Sequence, residues 1–96
     1  MSVKHVSHTR EELLELIPLK LKTYPALAAG LLLKLFQGTP ADNVHYALER
    51  LRADGIVLRA AIPTGKDIVA VYYHRTSTVF IEAFYNAQFG DRWSRY

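Results

Sequence analysis

Residues 44–59, VHYALERLRADGIVLR, decide how this 96-residue chain folds. Val44, Ala47, Leu48 and Leu51 recur at i, i+3, i+4 and i+7, which is one apolar stripe on a 3.6-residue period. The opposite face of that helix presents Asp42, Tyr46, Glu49, Arg50 and Ala53, with Asn43 and His45 at its margins. Gly55 is placed to end the helix, because glycine takes positive φ without the steric penalty of a Cβ. The β-rich run Ile56–Ala61 starts at the next residue, so a helix is joined to a strand through Ala-Asp-Gly alone.

Working toward the N-terminus, Thr39 or Asp42 is expected to cap this helix, with Pro40 in its first turn, and Gly38 to stop the element before it. That element is expected to be a helix opened by Tyr24-Pro25 and running from Ala26 to Gln37, apolar on nearly every side and therefore largely buried. The two helices together occupy residues 25–54. Leu19-Lys20-Leu21-Lys22-Thr23 alternates apolar and cationic residues and reads as a short strand or extended link. Before it, Thr9-Arg10-Glu11-Glu12 is a capping box in which the Thr9 hydroxyl and the Glu12 side chain each satisfy the other's backbone amide. Leu13, Leu14, Leu16 and Ile17 then share one face, and Pro18 bends or ends this first helix. Residues 1–8 read as a flexible arm ahead of a single domain over 9–96.

Working toward the C-terminus, Ile56–Ala61 and Ile68–Tyr73 flank Pro63-Thr64-Gly65-Lys66-Asp67 and predict a β-hairpin over 56–73 with Lys66 at its tip. Ser77 or Thr78 is expected to cap a last helix over 78–89 that Gly90 ends, leaving the tail DRWSRY. On that helix Val79, Phe80, Ala83, Phe84 and Ala87 share a face, with Ile81, Tyr85 and Phe89 beside it. The apolar arc is wider than the roughly 100° that one core contact needs, so these five residues are expected to form a homodimer interface. A larger intrachain core is the competing account of the same residues.

The bulk composition excludes several classes. There is no cysteine, hence no disulfide, thiolate metal site or cysteine nucleophile, as suits a reducing cytoplasm. The start, MSVKHVSHTREE, lacks the apolar core of a secretory signal, and the longest nearly apolar run, Tyr24–Phe36, is shorter than the about 20 residues that span a bilayer. A net charge of +3 permits a polyanionic partner, but no segment is a dense basic tail, so positioned side chains would have to bind it. His5 and His8 stand three apart without a third ligand at suitable spacing, so no metal site is expected. Pro63-Thr64-Gly65-Lys66 is not a phosphate-binding loop, since the upstream glycine is missing and Asp67 replaces the Ser or Thr that would hold magnesium. No Ser/His/Asp grouping suggests catalysis, and neither an enzyme nor a cofactor is expected.

The order is three helices, a hairpin and a C-terminal helix, an α+β fold that is mostly α. With Val44, Ala47, Leu48, Leu51, Asp54, Gly55, Ile56 and Val57 in this pattern, the chain resembles the winged helix-turn-helix family of DNA-binding proteins, over roughly residues 26–73. It is most similar to the small bacterial and phage regulators of the MarR and PadR sort. The resemblance implies sequence-specific binding, with a recognition helix over 39–53 in the major groove of double-stranded DNA and a wing contact at 62–67. It places Asn43, His45, Tyr46 and Arg50 at groove or phosphate positions, and Thr64, Gly65 and Lys66 at the wing tip. Arg59, with Arg52 and Lys34, would extend that surface. A dimeric transcriptional regulator is the implied function. Asp42 and Glu49 put negative charge on the reading face, and they fit an alternative in which the domain is a protein-interaction adaptor that binds no nucleic acid.

Overall fold

The computed structural model describes residues 7–95. Its elements run α1 (Arg10–Thr23), β1 (Ala26–Ala28), α2 (Ala29–Leu35), α3 (Ala41–Ala53), β2 (Val57–Thr64), β3 (Asp67–His74), α4 (Thr78–Phe89) and β4 (Ser94–Arg95). Single 3₁₀ turns at Arg75–Ser77 and Gly90–Arg92 flank α4. Among the described residues the fold is α+β, with four α-helices and one antiparallel sheet in the order β1-β3-β2-β4.

The sheet separates two cores, and the alternation of its side chains shows why. Leu27, Tyr72 and Val57 point to one face, where they meet Leu13, Ile17 and Leu21 of α1, Leu32 and Phe36, and Val44, Ala47, Leu48 and Leu51 of α3. Ala60, Ile62 and Tyr73 point to the other face and pack with Ile81 and Tyr85 of α4, with Ala26, Leu58, Val71, Phe89 and Trp93 around them. Successive strand residues face opposite sides, so a strand buried on both faces must be apolar nearly throughout, as VLRAAI and IVAVYY are. Each fully buried large apolar side chain contributes about 1.5–3 kcal/mol, which makes these two clusters the source of the fold's stability.

The stripe on α3 and its ending agree with expectation. Gly55, at φ +73°, follows the cap residue Asp54. The Gly55 amide donates to the Arg52 carbonyl at 3.0 Å and the Ile56 amide to the Leu51 carbonyl at 2.9 Å, the paired bonds of a Schellman ending. Its N-terminus differs. Pro40 holds the cap position with no side-chain bond, and neither Thr39 nor Asp42 caps. The Thr39 hydroxyl instead accepts from the His8 amide at 2.9 Å.

The capping box at Thr9 and Glu12 is present, with both reciprocal bonds at 3.2 Å. Two expectations for residues 18–37 are corrected. α1 does not stop near Pro18 but continues through 19–23 to Thr23, because Leu21 extends the stripe Leu13, Ile17, Leu21, all fully buried. Proline costs about 3 kcal/mol inside a helix, and the burial of those three residues offsets it. The expected helix from Ala26 to Gln37 is shorter. Ala26, Leu27 and Ala28 form a strand that pairs with Tyr73, Tyr72 and Val71, and helix begins only at Ala29. An open edge of β3 overrides the helical preference of Ala and Leu there.

The hairpin extends to Thr64 opposite Asp67, leaving Gly65-Lys66 as a two-residue turn. Gly65, at φ +62°, leads it, as in a type II′ turn. The tail is not left over. Ser94-Arg95 pairs with Ala61 and Ala60, making a four-stranded sheet of the expected two-stranded hairpin. α4 spans the expected residues, but neither Ser77 nor Thr78 caps it through a side chain. The Thr78 hydroxyl donates to the Arg75 carbonyl at 2.6 Å. His74 caps the preceding 3₁₀ turn by accepting from the Thr76 amide at 3.2 Å.

Candidate nucleic-acid interface

α3 buries Val44, Ala47, Leu48 and Leu51, so its other face is turned out by geometry alone. Four residues expected to contact DNA lie on or beside that face, and each has a defined neighbour or exposure. His45 is exposed. Tyr46 is 44% exposed, and the Arg10 guanidinium stacks over its ring at 4.6 Å from the centroid. Arg10 Nε also donates to Asn43 Oδ1 at 3.1 Å. Asn43 Nδ2 donates in turn to the His8 carbonyl at 3.4 Å. Asn43 is half-buried and ties the start of α1 to the start of α3. Arg50 is exposed and donates from Nε to Asp54 Oδ2 at 3.3 Å, one turn along the same helix.

Glu49 is held by two arginines. Arg52 Nη1 donates to both carboxylate oxygens at 3.0 Å, and Arg59 Nη1 reaches Oε1 at 3.7 Å. Arg59 comes from β2, on the sheet face that packs against α3, so this cluster joins the helix to the base of the hairpin. The acidic residue in the middle of the candidate reading face is thus neutralised by its neighbours.

Thr64, Gly65 and Lys66 are exposed at the hairpin tip, where the Thr64 hydroxyl donates to the Asp67 carbonyl at 3.4 Å. Lys66 lies seven positions along the strand and turn from Arg59, a distance of roughly 23 Å at about 3.3 Å per residue. The expected residues therefore form two patches. One is on α3 with Arg10 and Arg59, and the other is the hairpin tip. Sequence reasoning misses Arg10 as part of the first patch. It lies 33 positions from Asn43, and nothing local in the sequence marks it.

The arm expected over 1–8 lies outside the described residues as far as residue 6, and His5 with it. His8 is not loose. Its amide bonds Thr39, its Nδ1 lies 3.2 Å from Glu12, and its ring meets Phe36 edge-on at 5.9 Å. The His8 and Thr9 bonds hold the Glu12 carboxyl below its ordinary value. Among the described residues no three His, Cys, Asp or Glu side chains are placed to hold a metal ion, and no helix is long and apolar enough to cross a membrane.

Two apolar surfaces lie elsewhere. Tyr24, Leu27, Leu31, Lys34 and Leu35 line an open groove of about 360 Å³. On α4, Val79, Phe80, Ala83, Phe84 and Ala87 are all exposed. The sequence suggests that Ile81, Tyr85 and Phe89 lie beside those five, but they lie on the opposite side, toward the sheet. Comparison with protein-family models, with curated proteins and with solved structures finds no match for this chain.

Proposed function

We propose that this chain is a winged helix-turn-helix protein that binds double-stranded DNA and regulates transcription. The order helix, strand, helix, helix, hairpin supports the assignment, with β1 added to the free edge of β3 and α3 running directly into β2. In this reading α3 enters the major groove and the Gly65-Lys66 turn is the wing tip. One observation carries it: Arg52 and Arg59 neutralise Glu49, so that His45, Tyr46, Arg50 and Arg10 are offered to a partner with Asp42 as the acidic group beside them. Arg50 is long enough and exposed enough to exchange Asp54 for a guanine edge or a phosphate.

Fluorescence anisotropy with duplex DNA at two salt concentrations tests the reading. Binding is expected at about 50 mM and is expected to fall steeply by about 200 mM, as phosphate contacts require. Arg50→Ala is expected to cost about 1–3 kcal/mol on a selected site if it reads a base. Absence of binding at low salt refutes the proposal. A protein-interaction adaptor without nucleic acid is the second reading, and the leucine-lined groove at α2 favours it.

A further inference from the structure

We infer that the groove beside α2 seats the apolar ridge of an acidic amphipathic helix from another protein. Tyr24, Leu27, Leu31 and Leu35 receive its large side chains, Lys34 meets its carboxylates, and Gly30 lets its backbone come close. The site shares no residue with the α3 face or the hairpin tip, so the inference holds whether or not the chain binds DNA.

Three successive elements build the groove. Tyr24 ends α1, Leu27 is the middle of β1, and Leu31, Lys34 and Leu35 come from α2. Leu27 is 8% exposed and forms the floor, while Tyr24, Leu31 and Leu35 are 46%, 49% and 40% exposed along the rim. Leu31 and Leu35 stand one turn apart, about 6 Å along α2, the same rise that separates side chains at i and i+4 on a partner helix. A cavity of about 150 Å³ holds a benzene ring, so a groove of about 360 Å³ has room for two large side chains. An extended strand fits less well. β1 is an edge of the sheet, but it has three residues between Pro25, which lacks an N–H, and the start of α2. Gly30 gives a second sign of a close partner. It holds helical backbone without positive φ, and no described atom lies within 4 Å of a Cβ added there. Glycine weakens a helix relative to alanine, and nothing in the chain's own packing requires it here. It leaves bare helix backbone next to Leu31, where another backbone can approach.

Charge selects the occupant. From Leu16 to Ala41 the chain has three lysines and no Asp or Glu. Lys34 lines the groove, and Lys20 and Lys22 sit in the last turn of α1, just before Tyr24. Among the described residues none of the three is in an ion pair, whereas Arg50, Arg52, Arg59 and Arg95 each meet a carboxylate of the chain. An apolar trough bordered by unpaired lysines favours an apolar ridge flanked by carboxylates and rejects a basic one. A second copy of this chain offers no such ridge. Glu11, Glu12 and Glu15 lie on α1, and Asp42 and Glu49 on α3, but the apolar stripes of both helices are buried. The exposed apolar residues of α4 have no free carboxylate among them, since Glu82 accepts from the Tyr73 hydroxyl at 2.8 Å and from Arg95 Nη1 at 3.1 Å. The partner is therefore a different chain. A lipid surface, flat on this scale, would leave the floor of the groove unfilled.

Fluorescence anisotropy of labelled synthetic helices with the full chain, without DNA, tests this. The probes are about 16 residues long with paired leucines or phenylalanines at i and i+4, flanked by glutamates in one series and by lysines in the other. At about 50 mM salt the acidic series is expected to bind at least about tenfold more tightly than the basic one. Lys34→Glu is expected to reverse that order. Leu31→Asn changes an exposed side chain and is expected to weaken the acidic probes about tenfold or more. Gly30→Ala is expected to raise the melting temperature yet weaken the acidic probes about fivefold or more, because the added methyl meets the partner and not the chain. A folding defect does not give that combination. Four results would each overturn the proposal: no acidic probe bound at about 1 mM, no preference between the series, binding unchanged by Leu31→Asn or Gly30→Ala, or capture by phosphatidylglycerol vesicles that the same variants abolish.

Discussion

Replacing Glu49 with Gln separates what that carboxylate does for the fold from what it does to the proposed reading face. Gln keeps the size and one acceptor but removes the charge. The Arg52 contact is an exposed i,i+3 pair and is worth about 0.3–0.5 kcal/mol. Arg59 is equally sheltered, its side chain 23% exposed against 22% for Arg52, but it ties α3 to a separate element, and weakening its contact at 3.7 Å costs about a further 1 kcal/mol. The sum, about 1–1.5 kcal/mol, lowers the melting temperature of a domain this size by roughly 5–10 °C. The proposed DNA binding should move the other way. The variant presents one fewer negative charge and loosens the hold on two guanidinium groups. If each then meets a phosphate, the salt slope steepens by about 0.9 per contact, and low-salt affinity rises roughly five- to tenfold. Calorimetry and anisotropy on one preparation give both numbers. A less stable protein that binds more tightly is the expected signature, because partial unfolding would lose both. An unchanged salt slope would refute the idea that Glu49 restrains this face.

Gly55→Ala is expected to destabilise by about 1 kcal/mol in urea titrations, since a left-handed non-glycine costs roughly 1–2 kcal/mol and the stiffer unfolded chain returns part of it. No atom lies within 4 Å of the added Cβ, so the cost is conformational rather than steric. Lys66→Ala is expected to weaken binding equally on all duplexes and to flatten the salt slope by about 0.9, with a wild-type slope arguing against a wing contact. His74 is buried and lies near Lys22 and Arg75; burial first, then those charges, hold its pKa below the ordinary 6.5. The unfolded chain therefore takes up the proton first, and stability that is complete above about pH 6.5 falls as the pH drops from there through the lower folded value. Urea midpoints at pH 7.5 and 5.5 should show this loss, and His74→Asn should remove most of it.

The parts of the fold that depend on neighbours in sequence were legible. The α3 stripe, the Gly55 ending, the hairpin and the extent of α4 each follow from residues within a turn or two of one another. The parts that depend on distant partners were not. Ala26-Leu27-Ala28 contains only good helix formers and becomes a strand because Tyr72 and Tyr73, more than forty positions away, offer an open edge. α1 outlasts Pro18 because Leu21 finds a place in the core, which a local proline rule does not weigh. Ser94-Arg95 carries no periodicity, and its place is fixed by Trp93, which packs on Tyr85 at 5.4 Å between ring centroids and donates to Asn86 at 2.7 Å. The candidate site divides in the same way. Tyr46 could be seen to face outward, but the Arg10 that covers it could not.

Strand β2 ties the α3 face and the α4 side of the sheet into one geometry. Its alternate residues face different layers: Val57 and Arg59 turn toward α3, while Leu58, Ala60 and Ile62 turn toward α4. α3 is clamped to one side through Glu49 and Arg59, and α4 is packed on the other through Ile81 and Tyr85. Close-packed interiors of this kind transmit position with little give. Tyr73 strengthens the link, since its ring is buried under α4 and its hydroxyl bonds Glu82. In the homodimer expected from the apolar arc of α4, the two α3 helices would therefore be held at a separation set by three packed layers rather than by a hinge. Such a dimer would favour half-sites at one spacing near a helical turn of DNA, about 34–36 Å, and would discriminate against insertions between them.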